Sequence, residues 1–473
     1  MKIAIIGGGL SGTLTAIQLL SNASRDTTVY LIEQDRYKMS RGTAYSSQLA
    51  FQPLNVPAAA MGIFPEAPDD FFQWLTTHQH RYRNQLTIPV HPKDFIPRCV
   101  FGDYLNVRLQ EAESGAAKGV KLVRLHGEAM AVKARGSRFV VEISNYDPIP
   151  VDKVVLALGN FLPAQLPIPN MGFYNSSRYI ASPWSAKGLY ELPADASVLL
   201  IGSSLTMVDL VGSLQARGHT GKIYVISRHG LLPRPHDAGT PRYPRLSLPS
   251  GMNQSVLQLV RFIRSKVKEA EAAGYNWRSV LDALRDEAAA IWQAFSLQEK
   301  KHFLRFVRPY WEVHRHRMPA SSAVMLQELQ AKGQLEVIAA SLVDMEDTGE
   351  AAVVTIRRRK QAENERLQVD RVINCTGPQG DFAKIRTPLV EQLLADGMII
   401  PDQLRLGLET LPNGMLLNAK GRPVDGLFTL GPPRRGMLYE STALREIRQQ
   451  AQALAHELLQ EQGLLRLKTI PLT

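Results

Sequence analysis

The stretch Lys2-Ile3-Ala4-Ile5-Ile6-Gly7-Gly8-Gly9-Leu10-Ser11-Gly12 decides the fold. A short apolar run, Ile3 to Ile6, stops at glycines, as a strand buried on both faces of a parallel sheet does. Residues 13–20 then read as an apolar helix, and Thr28 to Ile32 as a second strand ending at Glu33. This predicts a βαβ unit with Gly7-x-Gly9-x-x-Gly12 in its turn. Gly7 permits the tight turn, Gly9 lets the backbone approach a pyrophosphate, and Gly12 lets helix and strand pack closely. Glu33 ends the second strand, where a carboxylate accepts hydrogen bonds from a ribose.

The pattern recurs. Val198-Leu199-Leu200-Ile201 stops at Gly202, a helix follows over about 206–217, and Ile223 to Ile226 reads as the next strand. Gly202, Ser204 and Met207 stand where the first unit has Gly7, Gly9 and Gly12. Arg228 stands where the first has Glu33. A cation there suits a 2′-phosphate, which favours NADPH over NADH. Ser204 brings a side chain to the place of closest pyrophosphate approach. Further buried runs end at Gly159, Gly377 and Gly431, and a helix is predicted over about 441–460. Two nucleotide sites in one chain imply two redox cofactors, a nicotinamide delivering hydride and a flavin accepting it.

The expected fold is therefore α/β, with two Rossmann-like dinucleotide-binding domains. The order resembles that of the two-dinucleotide-domain flavoproteins, whose chain leaves the FAD domain, forms the NAD(P) domain and returns. The resemblance implies that residues 1–185 begin the FAD domain, 190–345 form the NAD(P) domain and 346–473 complete the FAD domain. Proline-rich residues 231–250 read as a loop. Apolar residues at helical spacing over 253–307 predict a helical insertion in the second domain, about 252–318.

Composition bounds the rest. The chain has 473 residues, 45% of them hydrophobic and 21% charged, as in an ordinary globular protein. No run of 18 apolar residues occurs, and the N-terminal apolar run is too short for a signal peptide, so a cytoplasmic location is expected. Two cysteines, Cys99 and Cys375, form no Cys-x-x-Cys pair, which argues against a dithiol reductase. No Walker loop, Gly-x-Ser-x-Gly or metal-ligand spacing is present, so no metal is expected. The net charge is +11, and segments 228–268 and 300–317 together carry +12. Such a local basic field suits an anionic partner. Arg315, His316 and Arg317 are the candidate grip for an anionic substrate, with pairing to acids as the alternative.

Several strings resemble the bacterial FAD/NAD(P)-binding family that includes FAD-dependent urate hydroxylases and aspartate N-monooxygenases. They are Gly42-Thr43-Ala44-Tyr45, Leu54-Asn55-Val56-Pro57-Ala58, Asp70-Phe71-Phe72-Gln73-Trp74-Leu75, Phe95-Ile96-Pro97-Arg98 and Gly102-Asp103-Tyr104-Leu105. Others are Ser182-Pro183-Trp184, Ser227-Arg228-His229-Gly230, Arg315-His316-Arg317, Asn374-Cys375-Thr376-Gly377-Pro378, and Gly431-Pro432 leading to Glu440-Ser441-Thr442-Ala443. The resemblance covers nearly the whole chain. It implies that Gly7, Gly9, Gly12 and Glu33 hold the adenosine end of FAD, that Asn55 lies along the flavin, and that Gly431 and Thr442 approach the flavin and its pyrophosphate.

The function expected is an FAD- and NADPH-dependent monooxygenase of a small, polar, anionic metabolite, urate-like or amino-acid-like. Its partners would be that substrate and O2, and a homo-oligomer is compatible with the sequence. The competing readings are a reductase passing electrons to a quinone or protein, and a flavin redox sensor binding nucleic acid through the basic segments.

Overall fold

The computed structural model describes residues 1–46, 52–184, 191–237, 239, 241–246, 248–249 and 251–460. The first half of the chain supplies β1 (Lys2–Ile6), β2 (Thr27–Glu33), β3 (Val120–His126), β4 (Ala129–Arg135), β5 (Arg138–Ile143), β6 (Ile149–Val151) and β7 (Lys153–Leu156). A second group follows: β8 (Tyr179–Ile180), β9 (Val198–Ile201), β10 (Ile223–Ser227), β11 (Leu335–Asp347), β12 (Ala352–Arg358), β13 (Glu365–Val369) and β14 (Arg371–Asn374). The chain then returns through β15 (Met415–Leu417) and β16 (Pro423–Thr429).

These strands form a six-stranded sheet ordered β15-β16-β7-β1-β2-β3 and a seven-stranded sheet ordered β13-β12-β11-β10-β9-β14-β8. β1 lies between β7 and β2 and pairs with both in parallel. Ile3 to Ile6 are all at most 5% exposed, as an uninterrupted apolar run requires. Helices Leu10–Asn22, Arg98–Ser114 and Leu444–Leu459 pack on one face of this sheet. The antiparallel ribbon β4-β5-β6 covers the other. In the second sheet β9 lies between β10 and β14, again parallel to both.

The α/β architecture with two dinucleotide-type sheets is as the sequence predicts, but the domain limits differ. β8, at 179–180, already belongs to the second sheet, and β12, β13 and β14 carry that sheet to Asn374, well past 345. The reason is local. β11 runs on beyond β10 and folds back through β12 and β13, which cover the sheet edge, before β14 inserts between β9 and β8. The expected boundaries at 185 and 190 lie outside the described residues, as do residues 461–473.

The helical insertion forms as predicted. Helices Val256–Ala272, Trp277–Leu284, Ala288–Ala294, Leu297–His302 and Arg308–Arg315 close over a core of Leu259, Leu284, Ile291, Trp292 and Phe295. Tyr439, from the returning chain, joins that core. No helix among the described residues is long and apolar enough to cross a membrane.

Candidate functional site

The first glycine turn is fixed by backbone contacts. Gly7 has φ +110°, and its amide donates to the Ile32 carbonyl at 2.9 Å. A Cβ on Gly7 would lie 2.2 Å from the Ala157 carbonyl oxygen, and one on Gly12 only 1.9 Å from that of Gly7. Gly9 is the N-cap of helix Leu10–Asn22, and no side chain caps that helix. Its first-turn amides are therefore available to an anion, with the helix dipole behind them. Glu33 Oε2 accepts from the Gly8 amide at 2.9 Å, and Oε1 from the Asp35 amide at 3.2 Å. The carboxylate thus holds the glycine loop while keeping lone pairs for a ribose hydroxyl. Gly8 was invisible in the spacing, yet a Cβ there would lie 2.8 Å from the Glu33 Cβ.

The second turn repeats this geometry. Gly202 also has φ +110°, its amide donates to Ile226 O at 2.8 Å, and its Cβ would lie 2.5 Å from Cys375 O. Ser204 caps helix Leu205–Ala216 at φ −91°, ψ −167°, beside −76°, −165° at Gly9, and its hydroxyl makes no capping bond. Met207, fully buried, fills the place of Gly12. Gly159 and Gly377 each follow by two residues the carbonyl that closes a turn, Ala157 in the first and Cys375 in the second. Gly377 therefore belongs to the second unit. Arg228 follows β10 directly, is exposed, and has no ion-pair partner among the described residues.

The returning chain reaches the first turn. A Cβ on Gly431 would lie 2.6 Å from Ser11 Oγ, its amide donates to Gln450 Oε1 at 3.0 Å, and its carbonyl accepts from Ser441 Oγ at 2.6 Å. The final helix starts at Leu444 rather than at 441, and Thr442 is exposed just before it. Asn55 sits where the two domains meet. Its carbonyl accepts from His236 Nε2 at 3.0 Å, and the His236 ring lies 5.3 Å from Phe95. The same seam holds a nearly buried ion pair, Arg98–Asp209 at 3.0 Å, and a Gln52–Ser213 hydrogen bond at 3.3 Å. Burial pushes the Asp209 carboxyl up, against the opposing pull of Arg98. Beside it a cleft of about 340 Å³ opens between Pro53, Asp209, Gln215, Ser321 and Met325.

The basic triplet does not converge on an open site. Arg317 is 6% exposed and grips Asp282 with both terminal nitrogens, at 2.7 and 3.1 Å. His316 Nε2 lies 3.0 Å from Glu312. Arg315 lies 3.7 Å from both Glu440 and Glu446, and its Nε and Nη2 have no hydrogen-bond partner among the described residues. The expectation of an anion grip rests on few acids nearby in sequence; beyond Glu312, the fold brings Asp282, Glu440 and Glu446 from distant segments. The neighbouring cavity inside the insertion is apolar, about 70 Å³, and lined by Ile263, Trp292, Phe295, Phe303 and Trp311 among others. That is far below the several hundred Å³ of a metabolite pocket. Arg317→Ala is therefore expected to cost roughly 1.5–3 kcal/mol of stability, since it removes a buried guanidinium bonded to Asp282 and to the His314 and Arg278 carbonyls. A lowered melting temperature with flavin content intact is the expected reading; an unchanged one would restore the triplet as a free grip.

Burial pushes the Cys375 thiol up, which makes it a poor nucleophile, and Cys99 lies on a helix of the other domain. Among the described residues no cluster of His, Cys, Asp and Glu suits a metal.

A family model described as FAD-NAD(P)-binding matches residues 4–161, the first βαβ unit through the end of β7 and Gly159. No curated protein sequence matches the chain. Solved structures of similar fold include the ornithine N-hydroxylase of Kutzneria sp. 744, with reduced FAD, NADP+ and L-ornithine (TM-score 0.62, 14% identity, 96% of this chain and 98% of that one). L-lysine 6-monooxygenase of Pseudomonas syringae gives a TM-score of 0.64 at 13% identity, over 97% and 98%. Thioredoxin reductase of Lactococcus lactis gives 0.50 at 10% identity, over 96% and 97%. At such identities the likeness establishes the fold, two dinucleotide-type domains joined in one chain.

Proposed function

We propose that this chain is an FAD- and NADPH-dependent monooxygenase of a small polar metabolite with an amino-acid-like or similarly anionic group. One observation carries the reading. Two uncapped turns share one backbone geometry, and the end of the second strand carries an acid in the first unit, Glu33, and in the second a cation with no ion pair among the described residues, Arg228. The first turn suits an adenosine ribose and the second a 2′-phosphate. Gly7, Gly9, Gly12 and Glu33 would hold FAD, with Asn55, Gly159, Gly431 and Thr442 toward its flavin end. Gly202, Ser204, Gly377 and Arg228 would hold NADPH.

Bound together, the two cofactors would supply hydride transfer to flavin and activation of dioxygen. The chain's own residues bind, orient and exclude water. First-turn amides of the two helices would hold the diphosphates. The Arg98–Asp209 pair and the His236–Asn55 bond fix the second domain against the segment proposed to lie along the flavin. Burial lowers the His236 pKa, so the ring is neutral near pH 7 and one nitrogen carries the hydrogen given to Asn55.

Oxygenation is favoured over dithiol reduction by the cysteines, since Cys99 and Cys375 lie in separate domains and Cys375 is buried. The similar structures named for ornithine and lysine oxygenation support an amine or amino-acid substrate. The test is NADPH consumption in air against a panel of amino acids, amines and purines, with oxygenated product and hydrogen peroxide both quantified. Product formed one-to-one with NADPH for one class supports the reading. Peroxide alone across the panel, with fast electron delivery to a quinone, overturns it in favour of a reductase.

A further inference from the structure

A second cation stands at the end of β10 that the glycine motif does not announce. β10 and β11 are parallel, with Ser227 opposite Ala339, and the Arg359 amide donates to the Ala339 carbonyl at 2.7 Å. Ser227, Ala339 and Arg359 therefore lie in one row across neighbouring strand lines of the sheet, about 10 Å from end to end. Arg228 leaves β10 at that row. Gly230, at φ +61°, closes the gap, since a Cβ on it would meet Ala339 at 3.1 Å.

The run Arg357-Arg358-Arg359-Lys360 is split by its geometry. Arg358 is held by Glu365 at 2.6 Å and by Glu336 at 3.5 Å. Arg359 is exposed and, among the described residues, has no ion pair. Its charge is nevertheless felt across the row. His229 is held below its ordinary pKa first by burial, then by Arg359 and by Arg228. Two unpaired cations brought beside one imidazole repel each other unless an anion sits between them.

We propose that Arg359 is the second cation, with Arg228, for the 2′-phosphate of the coenzyme at the second cradle, and so a determinant of NADPH over NADH. This rests on the reading that the second cradle takes a pyridine nucleotide. The place is the right one chemically, because ligands of open parallel sheets bind outside the carboxyl ends of the strands, as β10 ends here. Arg359 comes from an antiparallel hairpin outside the βαβ unit, so no dinucleotide motif contains it. Arginine suits the role, since its planar fork binds phosphate through two nitrogens.

The experiment measures binding to the flavin-loaded protein by titration calorimetry at low and physiological salt. The probes are NADPH, NADH, adenosine 2′,5′-bisphosphate and ADP. The proteins are wild type, Arg359→Ala, Arg359→Lys, Arg228→Ala and Arg366→Ala. Arg366, exposed on β13 opposite Thr355, is a charge-matched control. Arg359→Ala is expected to weaken NADPH and the bisphosphate roughly tenfold, an exposed charge-assisted contact. NADH and ADP should change less than about twofold, Arg359→Lys should recover part of the loss, and Arg366→Ala should match wild type. The loss should shrink with salt, because the contact is solvent-exposed. If Arg228→Ala loses the NADPH preference and Arg359→Ala keeps it, Arg359 has no such role, while the coenzyme reading stands. Equal loss for both coenzymes in Arg359→Ala also overturns the role. A wild-type protein that binds NADPH and NADH alike removes the coenzyme reading and this inference together.

Discussion

Gly9→Ala is expected to purify nearly colourless, with affinity for FAD on the order of 100-fold below wild type. The backbone at Gly9, φ −76°, ψ −165°, is open to any residue, so alanine adds no strain there. The cost is one of space. A Cβ would face Gly42 Cα at 3.3 Å, and Gly42, at φ +61°, has its own Cβ position 3.0 Å from Gly9 Cα. Two glycine backbones thus lie face to face beside the uncapped helix start. A methyl group there blocks the approach of a diphosphate to the first-turn amides. Losing two charge-assisted hydrogen bonds at about 1.5 kcal/mol each, the low end for such bonds, gives a deficit of that order. Gly7→Ala would not be a clean test, because its methyl would collide with the Ala157 carbonyl and disturb the sheet itself. The measurement is flavin content on purification and FAD affinity of the stripped protein, with the melting temperature of the apo forms as control. Wild-type flavin affinity in Gly9→Ala would move the cofactor away from this helix.

The two glycine turns were legible because their requirements are local. A backbone at φ +110° must be glycine, and the strand before it and helix after it lie within a few residues. That is why Gly7 and Gly202 were found from spacing alone, and why helix Leu205–Ala216 fell within a residue of its expected limits. Strand membership was less legible. β14 reads as an apolar run ending in glycine, the same signal as β7, yet it pairs with β9 and not with β7. Nothing in so short a run, two apolar residues in β14 and three in β7, says which sheet will take it. The seam pair Arg98–Asp209 and the triplet Arg315-His316-Arg317 were opaque for a common reason. Each arginine finds its partner on another element, and a net-charge count along the chain cannot see Asp282 closing on Arg317 or Glu440 approaching Arg315. Charge patterning therefore reports the basic field but not that its arginine triplet is matched by acids in the fold.

The other large effect is expected from Glu312→Gln, at the joint between the insertion and the returning chain. Glu312 Oε1 accepts from Arg435 Nη2 at 2.8 Å and from the Tyr439 hydroxyl at 3.0 Å, while Oε2 faces His316 at 3.0 Å. Arg435 is partly buried, and its Nε has no other partner among the described residues. Tyr439 stands at φ +57°, a conformation few side chains adopt without support, between Trp292 at 4.7 Å and Phe303 at 5.0 Å. Trp292 Nε1 donates to Gly436 O and Trp311 Nε1 to Glu440 Oε1, both at 2.8 Å. The insertion is thereby clamped to the segment that starts at Gly431, beside the first glycine turn. Glutamine keeps the shape and an acceptor for Tyr439, but leaves the Arg435 charge without its counter-ion. Breaking such a pair costs about 3 kcal/mol, the low end for buried pairs because the Glu312 carboxylate keeps some solvent contact. Burial alone would push the Glu312 carboxyl up; the hydrogen bond and charge of His316, then Arg435 and Arg308, hold it well below the usual carboxylate range. A group whose pKa is lowered on folding stabilises fully above its unfolded pKa and loses that contribution as pH falls. The gap in melting temperature between wild type and Glu312→Gln should therefore be widest and level near neutrality. It should close progressively once pH falls below the ordinary glutamate range, about 4.3. Flavin should also leave the variant faster, since the clamped segment borders its proposed cradle. Equal melting temperatures at pH 7, or a gap that stays constant into acid, would show that the carboxylate charge does not hold this joint.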